Sequence, residues 1–566
     1  MYDLDRPSSS FPQIELPRSD HPYLAGVERE SLNQGSPRTS KDLIRLMKLP
    51  AFGITGLNTT FPRVSGSRAS VLIAFGATRL KWTWTMSDSP TRYDVVVVGS
   101  GQSGTPLAGI FARSGRKVAL IDRAHVGGCC INEGCTPTKT MIASGRVAYL
   151  ARRGADYGVH TSGLTIDMAK IRQRKRDIVA SFSGGSEKRL LGLGVDILKG
   201  EAKFVADKTL AVRMNSNGKE RTVVSEIIVL DVGERPARPE LPGLSEVDVP
   251  LVMDSTSIME LGEVPKHLIV LGGGYIGLEF GQLFRRLGAD VTVVQRAERL
   301  APREDEDISQ SLLEILREDG IRVHLSTSAE SISQGGDGTQ PLKLRIKSES
   351  GASHDLSGSH ILLATGRTPN TDTLNLDAVG IKTDNRGYLV VDDKLLTSAA
   401  GVYGLGDAHG GPAFTHISYD DFRILRANLL PEAAPSTTPK MHTTKDSVSR
   451  NLVPYVMYTD PQLAHVGLQE RDLIASGRKY RRATMPMSYV ARAIETDETR
   501  GMMKATVDAE TGEILGFTCL GIEAGEIMAV VQTAMMGGVK WWDLEAAVWA
   551  HPSLAESLNN LWGFLE

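Results

Sequence analysis

The sequence predicts an α/β protein: two doubly wound domains of parallel strands and helices, followed by a C-terminal α+β domain. Three observations predict it. A β-branched run, a glycine-rich turn and a helical pattern follow one another from Val95, and the same succession returns from His267. The chain has 566 residues, too many for one hydrophobic core. After about residue 440 the composition shifts to alternating strands and then helices, as in a separate domain.

The first unit starts with the strand 95–98 and turns through Gly99-x-Gly101-x-x-Gly104. A helical pattern covers 107–114, and a second apolar run, 117–121, ends in Asp122. This order is the Rossmann-type βαβ unit that binds dinucleotides. The glycines permit a tight turn and close approach to a pyrophosphate, and the helix N-terminus favours its charge. The acid would accept a hydrogen bond from a ribose 2′-hydroxyl. The glycine spacing alone is weak evidence; with strand, helix and distal acid in register it is strong.

The second unit has the strand 267–271, the turn Gly272-x-Gly274-x-x-Gly277, a helix over 278–286 and the strand 290–294. It ends in Gln295-Arg296, with no acid. That removes repulsion toward a 2′-phosphate, with which Arg296, helped by Arg299, can pair. The pattern favours NADPH, with NADH as the alternative; the plainer reading of Arg296 is a solvated surface residue. Two such modules imply two dinucleotides, a bound flavin and a diffusible nicotinamide. Two similar strand-turn pieces, 227–233 and 361–367 (the latter containing Gly366), close the modules, and 401–407 follows, ending in Asp407.

The four cysteines are Cys129, Cys130, Cys135 and Cys519. A secreted disulfide scaffold would be smaller and richer in cysteine, and a zinc site would need paired short spacings. Few, clustered cysteines point to a reducing compartment, the cytoplasm, and to catalytic use; no metal site is expected. Cys130 and Cys135 can close a small disulfide ring without long-range folding. A net charge of −3 gives no reason to expect nucleic acid or a membrane surface as partner. No run approaches the roughly 20 apolar residues that span a bilayer. The first 85 residues carry Ser, Pro, Gly and Arg without sustained periodicity. Residues 1–90 are therefore expected to be a disordered or mispredicted extension, with Met86 the natural start; a small extra domain is the competing reading.

In order along the chain stand the first glycine turn, the Cys-x4-Cys pair, the second glycine turn, the segment ending in Gly406-Asp407, and His551-Pro552-x-x-x-Glu556. Together they resemble the class I pyridine nucleotide-disulfide oxidoreductases, from about Tyr93 to the end. Pro137-Thr138-Lys139-Thr140, the phrase 414–421, and the segments 492–496 and 555–559 look most like the mercuric reductase-like branch. The resemblance implies an FAD-binding domain over 91–245 and 376–440, an NAD(P)-binding domain over 246–375 and a dimerisation domain over 441–566, hence a homodimer. It implies electron flow from NADPH through FAD to the Cys130–Cys135 disulfide, then to a small-molecule disulfide, metal ion or oxidant. Cys135 would lie against the flavin and Cys130 would face the substrate, with His551, oriented by Glu556, as acid/base from the other subunit. Lys139 and Glu279 would pair beside the flavin, Tyr275 would cover its face until nicotinamide arrives, and Asp407 would accept a hydrogen bond from it.

The chain departs from that branch in four places. It has no vicinal cysteine pair near the C-terminus and no cysteine before Cys129, so a specialised mercury role is not favoured, soft thiolates being what Hg(II) requires. Cys129 replaces a usual threonine, as a passive substitute or as a third thiol. Asp231 stands where an amide is common. A working mercuric reductase is the second reading, and a flavin-binding redox sensor, which would need no acid/base pair, is the third.

Overall fold

Four consecutive valines, Val95–Val98, are buried at every position. A strand with no polar residue must be covered on both faces, and this one lies inside a parallel sheet. It pairs with Val118–Asp122 on one side and Ile227–Leu230 on the other, putting Val98 level with Ile121 and Leu230. Asp196–Ala206 and Val402–Gly404 extend the parallel set, and the sheet reaches eight strands through an antiparallel ribbon beyond Asp196–Ala206. The carboxyl ends of three adjacent strands therefore meet at one edge, where Gly99, Asp231 and the segment after Gly404 gather. That edge is where open α/β sheets place ligands.

The structure is a computed structural model that describes residues 89–566 other than 336–337, 434–441, 447–449 and 451. The expectation for residues 1–90 falls almost wholly outside the described residues. The second sheet is all parallel, in the order Arg322–His324, Asp290–Val294, His267–Leu271, His360–Leu363 and Val252–Met253. Helices Tyr275–Leu287 and Glu306–Glu318 share one apolar cluster with it, and the antiparallel strands Thr327–Gln334, Leu342–Ser348 and Ser353–Gly358 share another. A two-stranded ribbon, Glu234–Pro236 with Arg367–Pro369, joins the exits of the two modules. The C-terminal part is a five-stranded antiparallel sheet that buries one stripe of helix Ala524–Met536: Ala524, Ile527, Met528, Val531 and Ala534.

The helices after the glycine turns span Gly104–Arg113 and Tyr275–Leu287, each beginning three residues before the apolar pattern does. Apolar spacing marks the face a helix buries, and the first turn faces the ligand side instead. Helix Cys135–Arg152 packs on Tyr275–Leu287 at Gly145, where a Cβ would stand 2.8 Å from Leu283 Cδ1. This close crossing brings Lys139 to Glu279. Among the described residues, no helix is long and apolar enough to cross a membrane.

Candidate active site

The first glycine turn is built around backbone contacts. Gly99 has φ +99°, and a Cβ there would lie 2.0 Å from the Asp231 carbonyl oxygen. Gly104 N–H donates to Asp231 Oδ2 at 2.7 Å. Burial pushes the Asp231 carboxyl well above the usual range. The acid that stands in place of an amide thus ties the start of the helix to the neighbouring strand. Asp122 accepts from Ser100 N–H at 3.0 Å and from the Ser100 hydroxyl, and its other oxygen accepts from Ala124 N–H at 2.8 Å. It braces the turn as well as standing at the expected ribose position.

The second turn repeats this bracing with a neutral group. Gly273 N–H donates to Gln295 Oε1 at 3.0 Å, and Gln295 Nε2 donates to the Arg299 carbonyl at 3.1 Å. Gln295 therefore keeps the hydrogen bond that Asp122 makes while removing the charge. Arg296 is exposed and lines the cleft, and so is Arg303, which sequence reasoning passed over. Gly272 has φ +115°, with a Cβ position 2.3 Å from the Ala364 carbonyl, and Gly277 would meet Gly272 O at 2.2 Å. Gly274 caps the helix, and Gly366 (φ +139°) accepts from Ala237 N–H at 3.0 Å.

Cys130 lies in the short helix Gly128–Asn132, and Cys135 is the first residue of Cys135–Arg152. Both are free thiols, and each is the largest influence on the other's titration. Cys130 has its pKa driven up by Cys135 and by burial. Cys135 is lowered to about 5 by the Cys130 thiol, then by Thr415 and Lys139, against the cost of burial. Thr415 Oγ1 lies 3.5 Å from the Cys135 sulfur and is the first residue of helix Thr415–Leu429. Two helix N-termini thus converge on one sulfur, where positive dipole ends favour a thiolate. Thr415 is a second residue that sequence reasoning missed, since no local spacing links positions 280 apart.

Lys139 and Glu279 form an ion pair at 2.8 Å. Burial opposes the lysine charge, but Glu279 outweighs it and raises the pKa. Tyr458 completes the group: its N–H donates to Glu279 Oε1 at 2.7 Å, and Lys139 Nζ lies 4.9 Å from its ring centroid. Asp407 is raised to about 6 by burial, with Glu234 adding to the effect. Cys129 has its thiol pushed up by burial, and Arg367 Nη2 approaches its sulfur at 3.5 Å. These groups line one cleft of about 1610 Å3, which runs from Asp122 and Gly101 past Asp407 to Cys135, Lys139 and Tyr275.

His551 and Glu556 stand apart from this group. His551 Nδ1 is 2.9 Å from Glu556 Oε2, but neither residue lines the cleft and the imidazole is 67% exposed. Val548, nearby in sequence, is fully exposed, with Trp542 and Met536 also open.

A family model described as pyridine nucleotide-disulphide oxidoreductase matches residues 93–421, and one described as the dimerisation domain of the same family matches 453–561. The chain is 34% identical over 478 residues to the probable pyridine nucleotide-disulfide oxidoreductase RclA of Escherichia coli, covering 84% of this chain and all of that one. It is 33% identical to a mercuric reductase of Bacillus cereus, covering 82% of this chain and 70% of the relative. A solved structure of the HOCl-induced flavoprotein disulfide reductase RclA from E. coli, in complex with Cu(II), superposes with TM-score 0.74 at 32% identity, over 84% of this chain and 99% of that one.

Proposed function

This chain belongs to the pyridine nucleotide-disulphide oxidoreductases, enzymes that hold FAD and use NAD(P)H, and we propose that it passes the two electrons of NADPH by way of Cys130 and Cys135 to a small disulfide, a metal ion or an oxidant. The single observation that carries this reading is the setting of the thiol pair: Cys130 and Cys135 line the cleft, and Cys135 opens a helix beside Thr415 Oγ1 and the Lys139–Glu279 ion pair, donors that lower its pKa. A pair of inert buried cysteines would both be pushed up by desolvation.

The cleft suits the flavin. Its first turn presents backbone where a side chain would collide, a Cβ on Gly101 standing 2.7 Å from Asp231 Oδ2 and one on Gly128 2.6 Å from Gly101 Cα. Gly99, Gly101, Gly104, Asp122, Asp407, Lys139 and Glu279 would hold it within the FAD domain, 91–245 with 376–440. FAD, when bound, supplies the two-electron relay between nicotinamide and sulfur. Gly272, Gly274, Gly277, Gly366 and Arg296, joined by Arg303, would hold the nicotinamide nucleotide in the domain 246–375.

With both thiols reduced, Cys130 attacks one sulfur of a substrate disulfide and expels the first thiol. His551 takes the Cys130 proton and returns it to the departing sulfur. The Cys135 thiolate then attacks Cys130, closes the Cys130–Cys135 disulfide and releases the second substrate sulfur as a thiolate, which takes a proton from water. His551 and Glu556 lie outside the cleft that holds their own chain's thiols, which supports a homodimer through 441–566 with each histidine reaching the other subunit's cleft. Sparse, clustered cysteines support a cytoplasmic location.

The names of the relatives attach mercury to some and HOCl and Cu(II) to another. The test is NADPH oxidation with small disulfides, Hg(II) in excess thiol, Cu(II) and hypochlorite-type oxidants, with Cys130→Ser as control. Turnover with at least one class, lost in the variant, is expected. Turnover that survives Cys130→Ser overturns the proposal.

A further inference from the structure

The two glycine turns match residue for residue, and one position breaks the match. A Cβ on Gly99 would meet the Asp231 carbonyl oxygen at 2.0 Å, and one on Gly272 would meet the Ala364 carbonyl oxygen at 2.3 Å. A Cβ on Gly104 would stand 2.4 Å from Gly99 O, and one on Gly277 2.2 Å from Gly272 O. Asp231 and Ala364 therefore occupy the same place in the two modules. The second turn closes over a methyl group, so the first does not need a carboxyl to keep its shape.

The Asp231 carboxyl is poorly placed to carry a charge. It is 7% exposed, and among the described residues no cation forms an ion pair with it. The charged groups that face it are acids: Asp122 ends the adjacent strand Val118–Asp122, Asp407 follows the strand Val402–Gly404, and Asp421 belongs to helix Thr415–Leu429. The cations nearby serve those acids instead. Arg450 and His409 bond Asp421, and Arg367 acts on Asp407 while pairing with Glu234. Burial and the three acids together push the Asp231 carboxyl up, against the Gly104 N–H, which lowers it. Oδ2 accepts that N–H at 2.7 Å. Oδ1 has no hydrogen-bond partner among the described residues, and Asp231 lines the cleft. A protonated carboxyl suits this setting: one oxygen accepts and the other offers an O–H, the acceptor and donor pair of an amide.

We propose that Asp231 keeps its proton and donates a hydrogen bond to the pyrophosphate of the flavin dinucleotide, and that FAD is released when alkali removes that proton. The inference rests on the reading of the first glycine turn as the flavin site. Below the ionisation of Asp231 the donor is in place. Above it the donor is gone and a buried negative charge opposes the phosphates, so binding weakens as pH rises.

The test follows FAD release from the holoenzyme on dilution and ultrafiltration, read by flavin fluorescence of the filtrate, in wild type, Asp231→Asn and Asp231→Ala. At about pH 6, Asp231→Asn keeps both donor and acceptor and should hold FAD within about threefold of wild type, while Asp231→Ala should hold it roughly tenfold or more weakly. As pH rises toward about 10, the ratio of the wild-type Kd to the Asp231→Asn Kd should climb by about tenfold per pH unit once Asp231 ionises. Taking the ratio cancels the titration of the flavin and of the other carboxyls, Asp407 included. Asp231→Asn that holds FAD about tenfold more tightly than wild type at about pH 6 would show the carboxyl already charged and overturn the proposal. Asp231→Ala equal to wild type, or a ratio unchanged at about pH 10, overturns it as well. If the variants do not fold, wild type decides alone: each FAD released in mild alkali must free about one proton to an indicator dye in weak buffer, and release without a proton overturns the proposal. Wild-type protein that binds no FAD at any pH overturns the flavin reading of the turn, and this inference with it.

Discussion

At Cys135 the residue-scale chemistry is decided by donors, and the consequence is a pH dependence whose sign can be worked out. The reduced Cys135 thiol has a folded value of about 5 against 9.0 for an ordinary thiol. Between those values the folded chain holds one proton fewer than the unfolded chain, so this group's contribution to stability grows as pH rises and is lost as pH falls through about 5. Cys130 has the opposite shift, so above pH 9 the unfolded chain loses its proton first and the trend reverses. Far-ultraviolet thiolate absorbance of the reduced protein should show one thiolate titrating near pH 5. Thr415→Val, which removes one donor to a charged sulfur, should raise that midpoint by about one pH unit. An unmoved midpoint would show that Thr415 contributes nothing to the thiolate. Cys129, by contrast, is held protonated by burial, which supports the passive reading of its replacement of threonine.

At the scale of elements, the two βαβ units build the same brace from residues of different charge. In both, the residue that ends the second strand reaches back to an N–H of the glycine turn: Asp122 to Ser100, Gln295 to Gly273. The bracing needs only an acceptor, so charge is free to differ. A carboxylate suits a ribose hydroxyl, and an amide flanked by Arg296 and Arg303 suits a 2′-phosphate. Gln295→Glu should keep the turn and add a negative charge. The ratio of kcat/KM for NADPH over NADH should fall roughly tenfold or more, with KM for NADPH carrying most of the change. A ratio within twofold of wild type would place cofactor choice elsewhere, for example wholly on the arginines.

At the scale of the whole molecule, helices Cys135–Arg152 and Tyr275–Leu287 are clamped to the C-terminal domain. Asp460 bonds Arg146 at 2.7 Å and also Arg286, and Asp319 receives Arg500 at 2.7 Å. Tyr149 lies beneath Arg286, whose guanidinium carbon is 3.9 Å from the ring centroid. These contacts hold Lys139, Glu279 and Tyr458 in register within one chain, while His551 is left outside. If the site is shared between subunits, Cys130→Ser and His551→Gln should each be nearly inactive alone. After mixing and reassociation they should recover roughly a quarter of wild-type activity, since half the dimers are hybrids and each hybrid has one intact site. No recovery, with hybrids demonstrated by mass, would mean that cysteine and histidine serve within one chain.

Local spacing was enough for the strands, the glycine turns and the Cys-x4-Cys pair, and the family resemblance supplied the Lys139–Glu279 pairing. Each is encoded in a run of neighbouring residues or in a motif carried intact from Gly99 to Glu556. Spacing did not reveal Thr415 at Cys135, Asp231 on Gly104, Arg303 in the cleft, or the grouping of Tyr275, Glu304, Tyr455 and Gln469. Most of these depend on residues far apart in sequence, and a threonine, a glutamate or a glutamine carries no local mark of the partner it will meet. The sequence by itself determined which groups are available to bind nucleotides and move electrons. The tertiary structure decided which donor meets the Cys135 sulfur and which carboxylate meets the Tyr275 hydroxyl, because both partners are far away in sequence and only folding brings them within hydrogen-bond reach.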